Sequence, residues 1–211
     1  MSIDNSLHRI TRWLAAHAPR ILHDSLNSGA SEAALVALET AVGQPLPDDF
    51  KLLYRRFDGM DEEADHLGSF FYGMRFLPLA EVEHHILYRQ YEPAFPVKQV
   101  GLGVNPAHLL TPDWLAMAFD GAHTWLCVDL VPTPTGSYGQ VIFVDEEQEA
   151  AFRVADSVAD LLRSFADDLA QGFYTLDPDA LEDGVEFLTP DDSIDVVNWW
   201  QASRWRTAAQ P

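Results

Sequence analysis

Cysteine and basic residues are scarce in this chain of 211 residues. Cys127 is the only cysteine, so no disulfide can form within the chain, and its place in an apolar run predicts a buried thiol rather than a nucleophile. Lys and Arg together number 13 against 33 Asp and Glu, which gives a formal net charge of −20. Such a surface would repel nucleic acids and anionic membranes, so we predict neither as a partner.

Long apolar runs are missing as well. No stretch approaches the ~20 apolar residues that span a bilayer, and the first ten residues have neither the basic segment nor the apolar core of a secretory signal. We therefore expect a soluble, cytoplasmic protein, in a reducing compartment that suits the single thiol. The hydrophobic content of 47% is sufficient for a substantial core.

The patterns that carry common enzyme chemistry are also absent. The sequence contains no G-x-S-x-G, no Walker A pattern, no Rossmann glycine fingerprint and no metalloprotease or deaminase spacing. Asp120, His123 and Asp129 offer residue types for a hydrolase, but Asp129 should point to the opposite end of its strand, ~13 Å away. We predict no catalytic residues and no cofactor.

One group of residues has the composition of a metal site. Glu81, His84 and His85 can share one face of a helix, and His66 could approach from the preceding loop. The group has neither an H-E-x-x-H nor a CxxC arrangement. We therefore interpret these histidines as solvated or capping residues and predict no metal site.

The residues from 111 to 144 form the most informative stretch. Three apolar runs alternate with two turn-forming segments, in the order 114–119, Asp120-Gly121-Ala122-His123, 125–130, the proline-containing segment 132–136, and 140–144. Asp-Gly accepts the positive φ of a tight turn, whereas proline lacks an amide donor and ends a central strand. The pattern predicts a three-stranded antiparallel meander.

Helical and strand periodicities cover most of the remaining chain. Apolar spacing and end signals predict helices over 5–17, 21–26, 31–42, 50–57, 78–91 and 157–169. Gly59 is predicted to end the fourth of these helices in the left-handed conformation. A strand with a bulge or tight hairpin at Gly73 is predicted over 69–77, and a second strand over 151–155.

Three blocks of the sequence resemble, in order, the SUKH superfamily, a group of fungal cell-wall regulators and bacterial toxin-immunity proteins. The first block contains Leu46-Pro47, Asp49-Phe50, Tyr54 and Asp58-Gly59, with Asp58 where the family more often has Asn. The second contains Leu77-Pro78-Leu79 and Glu81-Val82. The third contains Trp114-Leu115, Asp120-Gly121, Cys127, Asp129, Pro132, Gly136 and Gly139-Gln140-Val141. Together the blocks cover roughly residues 40 to 165.

The final third of the chain is its most acidic part. From residue 145 onward it holds 16 of the 33 acidic residues but only four arginines, so a basic partner would be steered towards it. The alternative is that the acidity only maintains solubility. The acidic residues between 172 and 192 have no Lys or Arg beside them, which predicts a segment that extends, or that waits for a cation or a basic partner. A helix is predicted over 193–205, with tryptophans that either pack on the domain or form a binding surface.

These patterns predict an α+β fold with N-terminal helices, a twisted, largely antiparallel sheet flanked by helices, and a C-terminal helical extension. The resemblance implies that the fold is that of the SUKH superfamily. We divide the chain into an N-terminal helical segment at 1–30, an α+β domain at 31–172 and an acidic, Trp-rich extension at 173–211.

The resemblance implies a non-enzymatic protein-binding domain. Our first hypothesis is an immunity protein that neutralises a cognate bacterial toxin, expected to be basic, by direct binding. The alternative is a regulatory scaffold of the Smi/Knr type that binds a cellular enzyme of cell-wall synthesis or signalling, and a weaker third hypothesis is a small-molecule or catalytic pocket near the first turn of the meander. The candidate partner-binding residues are Asp120, His123, Asp183, Glu186, Trp199 and Arg204.

Overall fold

The computed structural model describes residues 2–61, 63–64, 68–89, 97–108 and 111–210. The helices within these ranges are α1 (Ile3–His17), α2 (Glu32–Val42), α3 (Asp48–Arg56), α4 (Leu79–Arg89), α5 (Val158–Gln171) and α6 (Pro178–Glu182), with a π-helical turn at Ile21–Ser25 and 3₁₀ turns at Phe71–Gly73 and Pro106–His108. The strands are β1 (Leu26–Ser28), β2 (Phe57–Met60), β3 (Arg75–Phe76), β4 (Gln99–Val100), β5 (Trp114–Phe119), β6 (Thr124–Asp129), β7 (Gln140–Asp145), β8 (Ala150–Ala155), β9 (Tyr174–Leu176) and β10 (Leu188–Pro190).

A six-stranded sheet in the order β3-β5-β6-β7-β8-β4 forms the centre of the molecule. Its four inner strands pair with antiparallel neighbours in sequence order, and only β4 pairs in parallel, with β8. Both edge strands contain two residues. The fold is therefore α+β, and the predicted antiparallel meander is confirmed with its turns in the predicted places.

Helices cover the sheet because their apolar stripes need a partner surface. The side chains of Leu161, Leu162 and Phe165 on α5 are buried. Helix α1 packs along α5, and its Leu7, Ile10 and Leu14 are buried. Serine side chains cap α2 and α5, since Ser31 accepts from the amide of Ala34 and Ser157 from that of Asp160. Cys127 is buried in β6, as predicted.

One buried amide connects the strand ends of the meander. The Nε2 of Gln140 donates to Asp129 Oδ2 at 2.8 Å and to the carbonyl of Gly103 at 2.9 Å, while its Oε1 accepts from the Ser137 amide at 3.1 Å. A Cβ on Gly136 would lie 2.5 Å from the Gly103 carbonyl oxygen, so only glycine fits there. The resemblance-bearing Asp129, Gly136 and Gln140 thus form a single polar junction.

The predicted strand over 69–77 is wrong in most of its length. The chain forms a 3₁₀ turn at Phe71–Gly73, in which Tyr72 has a φ of 51° and Gly73 a φ of 80°, and only Arg75–Phe76 pairs with β5. The amide of Tyr72 donates to the phenol of Tyr174 at 3.3 Å. This contact between distant parts of the chain holds a backbone geometry that local periodicity does not encode.

Gly59 does not end a helix. Helix α3 finishes at Arg56, and Gly59 lies within β2 with a φ of 69°. The backbone of Leu77 and Pro78 occupies the space in which its Cβ would lie. The glycine is needed for a close approach of two chain segments rather than for a helix stop.

The acidic segment after α5 is folded rather than extended. Strands β9 and β10 pair as an antiparallel ladder that encloses α6, which begins at Asp177 as its N-cap. The predicted helix over 193–205 is also wrong, because this part of the chain forms successive hydrogen-bonded turns. The Asp191 and Asp195 side chains accept from the amides of Ser193 and Val197, which favours turns over helix.

We predict that Gln140→Glu destabilises the fold by about 2–4 kcal/mol at neutral pH, since it places a second carboxylate against buried Asp129. The repulsion raises the folded-state pKa of the introduced carboxyl above its unfolded value. The deficit should therefore shrink as the pH falls towards about 4, where that group becomes protonated. Urea unfolding at several pH values measures both effects.

The matched control for this variant is Gln99→Glu, which makes the same chemical change on the exposed edge strand β4 and should alter stability by no more than about 0.5 kcal/mol. Equal losses in the two variants would contradict the assigned role of the Gln140 amide.

Candidate functional site

The turn between β5 and β6 brings Asp120 and His123 together. The Oδ1 of Asp120 accepts from the amides of Ala122, His123 and Thr124 at 2.8, 3.0 and 3.0 Å. This carboxylate oxygen stabilises the tight turn, which is the role expected of Asp in an Asp-Gly turn. Asp129 lies at the other end of β6, opposite Trp114, as predicted.

The turn between β7 and β8 adds two acidic side chains to the same end of the sheet. His123 Nε2 lies 3.1 Å from Glu147 Oε2, and the indole of Trp125 donates to Glu146 Oε1 at 2.8 Å. Trp125 also stacks on Phe119 with 3.8 Å between ring centroids and meets the edge of His85 at 5.0 Å. We define these residues as the meander end: Asp120, His123, Glu146, Glu147 and the three flanking rings.

Asp183 and Glu186 have different environments although only two residues lie between them. Asp183 is exposed at the end of α6. Glu186 is buried, and its Oε2 accepts from the amides of Arg20 and Ile21 at 2.8 and 3.2 Å. Glu186 thus joins the extension to the π-helical turn and is not displayed to a partner in this structure.

Trp199 and Arg204 join the C-terminal extension to the domain. The Trp199 indole is buried against Phe152 and donates to Asp145 Oδ2 at 3.1 Å. The guanidinium of Arg204 donates to both carboxylate oxygens of Asp168 at 2.6 and 2.8 Å. These bonds raise the pKa of Arg204, an effect that partial burial opposes. The exposed tryptophan of the extension is Trp200.

The metal group considered from the sequence is only partly visible. Glu81 forms a bidentate pair with Arg75 at 2.8 and 2.7 Å, and His66 lies outside the described residues. In the ranges that the structure describes, no three or more His, Cys, Asp or Glu side chains are placed to hold a metal ion.

Sequence reasoning overlooked a second set of surface residues. Arg55 and Arg56, at the end of α3, border an open groove against α1 together with Thr11 and His23. The feature of the sequence that could have indicated this surface is the adjacent pair Arg55-Arg56, in a chain with only 13 Lys and Arg residues.

Comparison with known proteins gives the class to which this fold and its polar junction belong. The SMI1 / KNR4 family (SUKH-1) matches residues 29–164, which include α2 to α4 and the whole meander. The chain belongs to this family. Asp129, Gly136 and Gln140 fall inside the matched range, so the junction they form is part of the family domain.

Three curated relatives come from fungi. The chain is 28% identical to "Cell wall biosynthesis/cell cycle regulator smi1" of Schizosaccharomyces pombe, over 84% of this chain and 38% of the relative. It is 24% identical to "Glucan synthesis regulatory protein" of Neurospora crassa, over 85% of this chain and 41% of the relative. It is 35% identical to "Cell wall assembly regulator SMI1" of Saccharomyces cerevisiae, over 39% of this chain and 16% of the relative.

The chain spans about two fifths of the length of the first two of these relatives. The names of these relatives describe regulators of cell-wall biosynthesis, the cell cycle and glucan synthesis. None of the helices in the described ranges has both the length and the apolarity that crossing a membrane requires.

We predict that Arg204→Ala lowers the free energy of unfolding by about 2–3 kcal/mol, because Asp168 would remain buried without its bidentate partner. Arg163→Ala on the outer side of α5 is the control. Arg163 is exposed and pairs with partly exposed Asp160 and Asp167, so its loss should cost no more than about 0.5 kcal/mol. Urea unfolding followed by tryptophan fluorescence compares the two, and similar costs would show that Arg204 does not anchor the extension.

We also predict that stability falls above pH ~10, where tyrosine in an unfolded chain ionises. Burial raises the pKa of Tyr54, Tyr72 and Tyr174, so the unfolded state loses protons that the folded state keeps. Each such tyrosine should lower the free energy of unfolding by up to ~1.4 kcal/mol per pH unit.

Tyr72→Phe should make this decline less steep, whereas Tyr138→Phe should have a smaller effect, because Tyr138 is 49% exposed and burial raises its pKa less. Denaturant titrations between about pH 9 and 11, around the ordinary pKa of tyrosine, give the slope of the free energy of unfolding against pH. An unchanged slope in the Tyr72 variant would contradict the assignment.

Proposed function

We propose that this chain is a protein-binding regulatory domain of the SMI1/KNR4 type, which binds a cellular enzyme of cell-wall synthesis or signalling and performs no catalysis itself. The observation that supports this most directly is that relatives named for cell-wall and glucan-synthesis regulation align with 84% and 85% of the chain. The regulatory alternative therefore takes precedence over toxin immunity, our first hypothesis from sequence.

The surface offers a physical basis for recognition of a basic partner. Asp179, Glu182 and Asp183 lie exposed on or beside α6, and no ion pair within the described ranges engages them. We call these three residues the α6 patch. A net charge of −20 speeds the encounter with a cationic protein, and exposed carboxylates near the contact add to that attraction.

The meander end is a second candidate contact surface. Asp120 and His123 are partly exposed there, beside Glu147. The His123–Glu147 pair is solvent-exposed and adds little to stability, so it is free to reorganise against a partner. Of the six residues proposed from sequence, we retain Asp120, His123 and Asp183 as contacts and regard Glu186, Trp199 and Arg204 as supports for the surface.

Toxin immunity remains a testable second function, because the same acidic surface would suit a basic toxin. Co-expression with the product of the neighbouring gene separates the two proposals. Relief of toxicity through a direct complex would establish immunity. If the neighbouring gene product neither forms a complex nor is neutralised, and a cellular regulatory partner is found instead, the SMI1/KNR4-type function is supported.

The proposed function is tested by affinity capture with the intact chain as bait. A bait carrying Asp179→Asn, Glu182→Gln and Asp183→Asn should associate several-fold more slowly with the recovered partner, since it loses three steering charges. A control bait with Asp24→Asn, Asp48→Asn and Asp156→Asn has the same net charge and should associate faster than the α6 variant. Failure to recover any protein partner would overturn the proposed function.

We predict that association of this partner slows markedly between low and high salt, because ions screen charges over ~10 Å at 0.1 M and ~3 Å at 1 M. Stopped-flow or surface-binding kinetics at a series of salt concentrations measures the effect. A rate that does not depend on salt would remove electrostatic steering from the proposal.

A further inference from the structure

An open groove lies between the N-terminal segment and the end of α3. Its main part has a volume of about 620 Å³ and is lined by apolar Leu22, Leu26 and Phe57 together with polar His23 and Arg56. A smaller part of about 320 Å³ continues it along α1, past Thr11 and Arg55. One wall comes from residues that precede the range matched by the family, 29–164, and the other from α3 within that range.

The groove is cationic on a molecule that is strongly anionic elsewhere. Arg56 is exposed and lies over the Phe57 ring with 4.7 Å to its centroid, and no ion pair engages it within the described parts of the chain. Arg55 shares its charge with Glu32 at 2.5 and 2.9 Å, and Asp4 borders the far end of the smaller part. An anionic group is therefore attracted most strongly at the Arg56 end of the groove.

A buried hydroxyl borders the same space. Thr11 Oγ1 is hidden from solvent and has no hydrogen-bond partner among the described residues, although Thr11 lines both parts of the groove. Buried polar atoms normally have a partner, because an unmet hydrogen bond costs about 1–3 kcal/mol. A ligand in the groove can supply that partner once a change of the Thr11 rotamer turns the hydroxyl towards it.

We propose that this groove binds an extended acidic peptide segment of a partner protein, with its carboxylates at Arg56 and Arg55 and its apolar side chains on Leu22, Leu26 and Phe57. The inference rests on the proposed function only in that the segment belongs to a protein partner. It adds a second surface whose charge is opposite to that of the α6 patch.

Charge complementarity determines the class of ligand. An acidic peptide pairs with the arginines, and the rest of the −20 surface repels it, so the groove is the place where it can dock. A nucleic acid would extend its phosphates over the surrounding acidic surface, which disfavours it. The apolar floor gives an alternating peptide an advantage over a simple anion.

The test measures binding of a short fluorescein-labelled peptide that alternates Glu with Leu to the full chain by fluorescence anisotropy. We expect Arg56→Glu to weaken binding about tenfold or more through a reversed charge at the contact, and Arg56→Gln to have a smaller effect. Arg206→Glu makes the same change in net charge at an exposed residue of the C-terminal turns and should leave binding almost unchanged.

Thr11→Val tests the hydroxyl separately. It should weaken peptide binding several-fold without lowering the Tm, because the hydroxyl that it removes has no hydrogen-bond partner among the residues that the structure describes. Unchanged affinity in this variant would exclude the hydroxyl from the site.

Three results would overturn the proposal. These are equal weakening by Arg206→Glu and Arg56→Glu, equal binding of a peptide that alternates Glu with Ser, and full competition by inorganic phosphate at millimolar concentration. Because the probe is synthetic, absence of peptide binding would refute the groove alone, whereas failure to recover any partner would refute the proposed function.

Discussion

The buried amide of Gln140 is the contact on which the arrangement of the meander depends. It connects the end of β6, through Asp129, to the loop at Gly103 and to the turn at Ser137. A buried amide can satisfy its donors and acceptor in few arrangements, so this junction specifies the register of β6 against β7 and excludes alternatives that a purely apolar sheet would tolerate. The turns at both ends of the meander, and hence the surface proposed to bind a partner, are placed by that register.

Charged side chains have different roles in different parts of the molecule. Arg75 and Arg204 form bidentate pairs that join neighbouring parts of the chain, whereas no ion pair engages the α6 patch within the ranges that the structure describes. Arg56 is the contrasting case, because it is exposed beside an apolar floor. The few basic residues of this protein thus include arginines whose contacts are determined by the bidentate geometry of the guanidinium group rather than by the net charge of the molecule.

The parts of the fold that could be predicted from sequence are those defined by local chemistry. The meander followed from Asp-Gly, the prolines and short apolar runs. The starts of α2 and α5 followed from side chains that can cap a helix, Ser31 for α2 and either Asp156 or Ser157 for α5. The strand at 69–77 failed because the positive φ of Tyr72 depends on a hydrogen bond to Tyr174, about a hundred residues away. The helix at 193–205 failed because apolar spacing cannot reveal that aspartates bond to nearby amides and favour turns.

The candidate site was less accessible to prediction than the fold. Residue type alone indicated Trp199, Arg204 and Glu186, yet each proved to be engaged within the molecule. Trp and Arg are enriched both at interfaces and where a terminal segment packs on its own domain, and composition does not distinguish these situations. The groove at Arg56 is formed by two segments distant in sequence, so its apolar floor becomes evident only in three dimensions.

The two-residue strands at both edges of the central sheet have a consequence for how this protein can associate. A sheet grows from one chain into another through long rows of unpaired backbone groups, and β3 and β4 are too short to present such rows. At these two strands, a partner would have to recognise side chains instead of adding a strand. Variation among related domains could therefore change the choice of partner by substituting surface residues, without remodelling the backbone that displays them.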